Sequence, residues 1–117
     1  MKRIIRLVVM SSVAAVILVS TAYANPAHDR ISKLSETERR AVFSGFMEKS
    51  SEICNVKKTF FQGQSGGGDA FWNIKCSNGK AWVIQINNDA TGSTRILECS
   101  VLEAMNAGKC FKKFKNQ

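Results

Sequence analysis

The chain has 117 residues, with 17 Lys and Arg against 9 Asp and Glu, a formal net charge of +8, four cysteines and one histidine. Its length suits one small domain, and its composition excludes collagen, a coiled coil and a wholly disordered chain. A lone His28 leaves little room for histidine-based catalysis.

Residues 1–24 read as an address rather than as structure. Lys2, Arg3 and Arg6 form a positive start, residues 7–19 are apolar except for Ser11 and Ser12, and Ala22-Tyr23-Ala24 is a small-x-small cleavage site. That order is a secretory signal peptide. The apolar run is shorter than the roughly 20 residues a spanning helix needs, which favours a cleaved signal over an uncleaved anchor; no stable membrane span is expected in the mature chain. No cysteine follows the site to carry a lipid anchor, and the short signal reads as bacterial, which implies the periplasm or the exterior. Cleavage after Ala24 removes 24 of 117 residues and leaves 93; Lys and Arg fall from 17 to 14, and the mature charge is +5.

The single domain over residues 25–117 opens with a polar lead-in, 25–33, that reads as loose. Ser35 followed by Glu38 is a capping box and starts a helix that runs to about Glu48. Val42, Phe43, Phe46 and Met47 share its apolar face. Gly45 lies inside, at a cost of about 1 kcal/mol relative to Ala, which suggests close packing on a sheet. Four β-like segments follow, at 53–61, 70–76, 81–87 and 94–99, with a flexible glycine loop over 62–68. Asn78-Gly79 marks a hairpin. Asp89-Ala90-Thr91-Gly92 marks a second turn. Val101, Leu102 and Met105 then make a turn or two of helix stopped by Gly108.

Side chains alternate faces along a strand, so the register is testable. Trp72, Ile74 and Cys76 share a face, as do Trp82, Ile84 and Ile86. Both sets meet one core only if Cys76 lies opposite Lys80, across a three-residue loop with Gly79 left-handed. Extending the pattern backwards sets Cys54 opposite Cys76 and Phe60 opposite Ala70.

An even cysteine count in an exported chain argues for two disulfides. The spacings of 21, 22 and 10 intervening residues fit neither a metal knuckle nor a thiol-exchange motif. Of the three connectivities, parity selects Cys54–Cys76 and, by elimination, Cys99–Cys110. Each bridge is worth on the order of 2–4 kcal/mol. The expected fold class is α+β: an N-terminal helix packed on a four-stranded antiparallel meander, a short C-terminal helix and two disulfides.

The stretch from Gly79-Lys80-Ala81-Trp82-Val83-Ile84 to Asp89-Ala90-Thr91-Gly92 resembles the strand-turn-strand hairpin of PepSY-type domains, in which a G-K-x-Y-x-V-x-V strand leads into a D-x-x-T-G turn. The helix before the strands is also similar. The resemblance covers residues 79–92, does not extend to the four cysteines and carries over no functional residue. It implies a small exported bacterial module concerned with binding, often protease inhibition.

The candidate chemistry is sparse. His28 in a loose lead-in reads as an exposed side chain. Glu36, Glu38, Glu48, Asp69, Asp89, Glu98 and Glu103 could supply a carboxylate pair, but no spacing selects one, and Glu36 and Glu38 already suit a helix N-terminus. The run 63–68 lacks the Gly-Lys-Ser/Thr ending of a phosphate loop and precedes a strand. As a mobile loop, Gly66, Gly67 and Gly68 are candidates for partner contact. The stretch Lys109-Cys110-Phe111-Lys112-Lys113-Phe114-Lys115 interleaves lysines and aromatics without an acid. That makes Lys109, Lys112, Lys113 and Lys115 a second candidate surface. In an exported protein it favours an acidic protein or an anionic envelope component over nucleic acid. The expectation is a non-catalytic binding or inhibitory module with no catalytic residue, metal or cofactor; the alternative is a small secreted hydrolase or toxin.

Overall fold

The computed structural model describes residues 25–115. The expected signal peptide and its cleavage site lie outside the described residues, as do Asn116 and Gln117. The fold is α+β, with elements in the order α1 (Pro26–Ser32), α2 (Glu36–Lys49), β1 (Val56–Gln64), β2 (Ala70–Cys76), β3 (Ala81–Ile86), β4 (Thr94–Glu98) and α3 (Cys99–Ala104). The strands form one antiparallel meander in sequence order.

The expected loose lead-in is instead α1. Asn25 is its N-cap, accepting from the His28 backbone N–H, and Pro26 follows at the first turn, where its missing N–H costs nothing. Asn25 is 1% exposed, and its amide donates to the carbonyls of Gly68 and Ile86 at 3.1 and 3.0 Å. One side chain therefore starts α1 and ties it to the sheet. Ser35 and Glu38 complete the capping box of α2. Phe43 and Met47 on its inner face are fully buried, with Val42 and Phe46 packed beside them. A Cβ at Gly45 would meet nothing within 4 Å, so this glycine is not there for close packing, contrary to expectation.

Between β2 and β3 the expected register is present. Ile74 pairs with Trp82 and Trp72 with Ile84; Gly79 has φ +85°, and the Cys76 N–H donates to the Lys80 carbonyl. Trp72, Ile74, Cys76, Trp82, Ile84 and Ile86 all enter the core beneath the helices.

The register expected for β1 is corrected by two bulges, at Lys57 and at Gln62. Val56, not Cys54, pairs with Cys76, and Gln64, not Phe60, pairs with Ala70. Each inserted residue exchanges the faces of the strand residues beyond it. Phe61 consequently enters the helix-covered core, whereas Phe60 pairs with Asn73 on the opposite face. The Cys54–Cys76 disulfide still forms, with Cα atoms 5.0 Å apart, because Cys54 lies just before the strand and beside its end. Cys99–Cys110 is the second disulfide. Two bridges fit an oxidising, extracytoplasmic compartment.

The loop expected over 62–68 is also shorter and more ordered than a mobile hairpin. Residues 62–64 belong to β1, and Gln62 is fully buried. The turn closes through Ser65 N–H to Asp69 O and Gly68 N–H to Ser65 O. The Asn88 amide holds the Gly67 carbonyl, and Gly68 is buried under Asn25.

Candidate anion-binding site

The sheet has a second covered face. Residues 105–115, after α3, run back across the side of the sheet away from α1 and α2. Phe111 packs on Phe60, with ring centroids 6.1 Å apart, and Phe114 meets Phe71 edge-on at 5.3 Å. Two fully buried amides lace this tail down. Asn73 donates to the Gln62 side chain at 3.0 Å and accepts from the Phe111 N–H at 2.8 Å. The Gln62 side chain donates to the Lys109 carbonyl at 3.0 Å, and its backbone carbonyl accepts from the Phe114 N–H. Buried amides that find their partners hold a defined geometry, since leaving one unmet costs roughly 1–3 kcal/mol. The Cys99–Cys110 bridge adds a covalent clasp at the other end.

This clasp gives the lysines their arrangement. Lys109, Lys112, Lys113 and Lys115 line one concavity of about 410 Å³, together with Asn106, Ala107, Gly108 and Phe114. No carboxylate belongs to that lining. Gly108 adopts φ +128°, and a Cβ there would stand 3.1 Å from the Phe114 ring, so the turn and the aromatic wall depend on each other. The Lys113 ammonium lies 4.4 Å from the Phe61 ring centroid and 5.7 Å from that of Phe60. Lys58 covers Phe111 at 4.9 Å. Across the ladder Lys58 pairs with Lys75, two like charges directly opposite, an arrangement that costs stability. The ion pairs among the described residues, Arg39–Glu36 and Arg40–Glu36, leave all these lysines out. All four pocket lysines are exposed.

The other candidate, Gly66–Gly68, is not part of this pocket. Gly66 and Gly67 are exposed, whereas Gly68 is buried and its carbonyl is taken.

His28 corrects the expectation of an exposed side chain. It is 7% exposed, stacks on Phe61 at 4.7 Å, and its Nδ1 accepts from the Trp72 indole N–H at 3.0 Å. Burial lowers its pKa below the ordinary 6.5, with Asp29 pulling weakly the other way. An imidazole placed in this way locks α1 to the core.

The carboxylates are dispersed and mostly engaged. Burial alone would raise the pKa of Glu36, but hydrogen bonds from the Thr59 hydroxyl and N–H, helped by Arg39 and Arg40, outweigh it and lower it. Asp89 is held at about 2 by the Ser93 hydroxyl and N–H and the Thr91 hydroxyl, which close its turn. Asp69 accepts from the Asn88 N–H at 2.8 Å. Among the described residues no three His, Cys, Asp or Glu side chains gather as metal ligands, and no helix is long and apolar enough to cross a membrane.

A smaller cavity of about 270 Å³ lies at the β3–β4 end, lined by Lys80, Ala81, Trp82, Glu98, Cys99 and Ser100. The Trp82 indole N–H beside it is buried without a hydrogen-bond partner. Neither the second covered face nor this cavity is expected from sequence. Gln62 falls in the stretch read as a glycine loop and Asn73 on the strand face opposite Trp72 and Ile74, and only the Phe-Lys alternation of 111–115 hints that the tail returns to the sheet.

Comparison of the chain with protein-family models, with curated proteins and with solved structures returns no match.

Proposed function

We propose that residues 25–117 are an exported, non-catalytic binding module, released from a signal peptide after Ala24, and that the lysine-lined tail is its contact surface for an acidic protein or an anionic envelope component. One observation carries the reading: four exposed lysines, within seven residues of one another and so mutually repulsive, are gathered around one concavity by a disulfide and two buried amides. A merely solvated basic tail needs no such clasp. The two disulfides support export, and the PepSY-like stretch, which here comprises β3 and the turn after it, agrees with a binding role. Glu36, Asp69 and Asp89 are taken up in internal hydrogen bonds, which favours binding over hydrolysis.

The test is binding of the exported protein to poly-glutamate, an acidic polypeptide of defined charge. Binding should weaken sharply between 0.1 and 1 M salt, over which the Debye length falls from about 10 to about 3 Å. The Lys112→Glu, Lys113→Glu double variant should bind about tenfold more weakly still, at the roughly 0.2–1 kcal/mol each exposed charge contact contributes. Binding that ignores both salt and substitution would refute the proposal.

A further inference from the structure

Resting on that reading, we infer that the lysine pocket takes a compact phosphoryl group of a small ligand, rather than only meeting acidic surfaces in general. A flat acidic partner requires exposed cations and no hollow. Here the cations surround one, of about 410 Å³, within the roughly 300–1,000 Å³ range of small-ligand sites. The ammonium is a compact charge with three donors on a flexible stem, suited to a multivalent oxyanion approached from several sides. The pocket holds four lysines and no arginine.

The walls add shape to charge. Asn106 sits in the left-handed region at φ +53° and Gly108 at φ +128°, so the chain between them folds tightly. Phe114, fixed against Phe71, makes an apolar wall against which the organic part of a phosphate ester can lie. An extended acidic peptide would be better served by a long groove or a free strand edge. At the β1 edge, Ser44 and Glu36 side chains take the Val56 and Thr59 N–H groups, and Phe114 takes the Gln62 carbonyl.

The probe is inorganic pyrophosphate, titrated into the exported protein at constant ionic strength while the amide resonances of Gly108, Lys109 and Phe114 are followed. Saturable shifts at these amides are expected, and sodium sulfate at equal ionic strength should shift them less. Two variants with the same change in net charge separate a pocket from a general field. Asn106→Asp places a carboxylate at the pocket wall on a backbone that Asp tolerates. Asn55→Asp places one at an exposed position outside the lining. Asn106→Asp should weaken pyrophosphate binding about fivefold or more, and Asn55→Asp by less than about twofold. Equal effects, or no saturation, would overturn the inference. Vesicles of phosphatidic acid distinguish the source: displacement of bound vesicles by pyrophosphate supports a lipid phosphate in the same pocket, and vesicle binding that pyrophosphate cannot displace contradicts the pocket. If pyrophosphate fails while poly-glutamate binding stays sensitive to salt and to Lys112→Glu, Lys113→Glu, only this inference falls; if poly-glutamate binding fails too, the proposed function falls with it.

Discussion

His28 accepts the Trp72 indole N–H through Nδ1, so its neutral form is the one the fold uses. Protonation puts a hydrogen on the acceptor and a charge between two aromatic rings. Because burial lowers its pKa in the fold, the stabilisation is complete above the unfolded value of about 6.5 and is lost as pH falls from there through the folded value. Urea midpoints should therefore drop between pH 7 and pH 5, and His28→Gln, which keeps an acceptor but not the titration, should flatten that drop. An unchanged slope in His28→Gln would mean that other groups set it. Gly45 makes an opposite case. It sits in the interior of α2 with free space where a Cβ would go. Gly45→Ala should raise stability by about 0.5–1 kcal/mol in a urea titration, since the helix gains propensity without a clash. A loss would show that the helix packs more tightly there than the open space suggests.

At the scale of elements, local chemistry was readable and its exceptions were not. The capping box, the strand limits of β2 and the three-residue loop before β3 can each be read from a few residues. α1 could have been read: Asn25 followed by Pro26 is the pattern of an N-cap and first turn, obscured because the residues around it are polar. The bulges at Lys57 and Gln62 leave no comparable mark, because an inserted residue looks like any other until its neighbours are paired. Cys54 and Cys76 are thus joined, as parity predicts, although β1 does not adopt the register on which that parity rests. The tail shows what the Cys99–Cys110 bridge is for. Its amides at Phe111 and Phe114 bond to Asn73 and Gln62, and the bridge closes the chain beside them. In a Cys99→Ser, Cys110→Ser variant, hydrogen exchange at Phe111 and Phe114 should accelerate while β2 and β3 amides keep their protection, and affinity for poly-glutamate should fall. Equal loss of protection throughout would make the bridge a support of the whole core instead.

For the whole molecule the sheet separates two jobs. One face carries α1, α2 and a core stapled by Cys54–Cys76; the other holds the tail that gathers the lysines. That the lysines cluster within 109–115 is plain from the sequence, but not that they border one hollow, since that depends on Gln62 and Asn73 across the fold. A net positive charge alone would attract polyanions anywhere on the surface. The decisive comparison is the affinity for poly-glutamate at 0.1 M salt of two charge-matched double variants: Lys112→Glu, Lys113→Glu in the tail, and Lys33→Glu, Lys49→Glu at the ends of the two helices that cover the opposite face. A loss of about tenfold in the tail variant, against less than about twofold in the helix variant, is the result expected of a localised site. Equal losses in the two would contradict it.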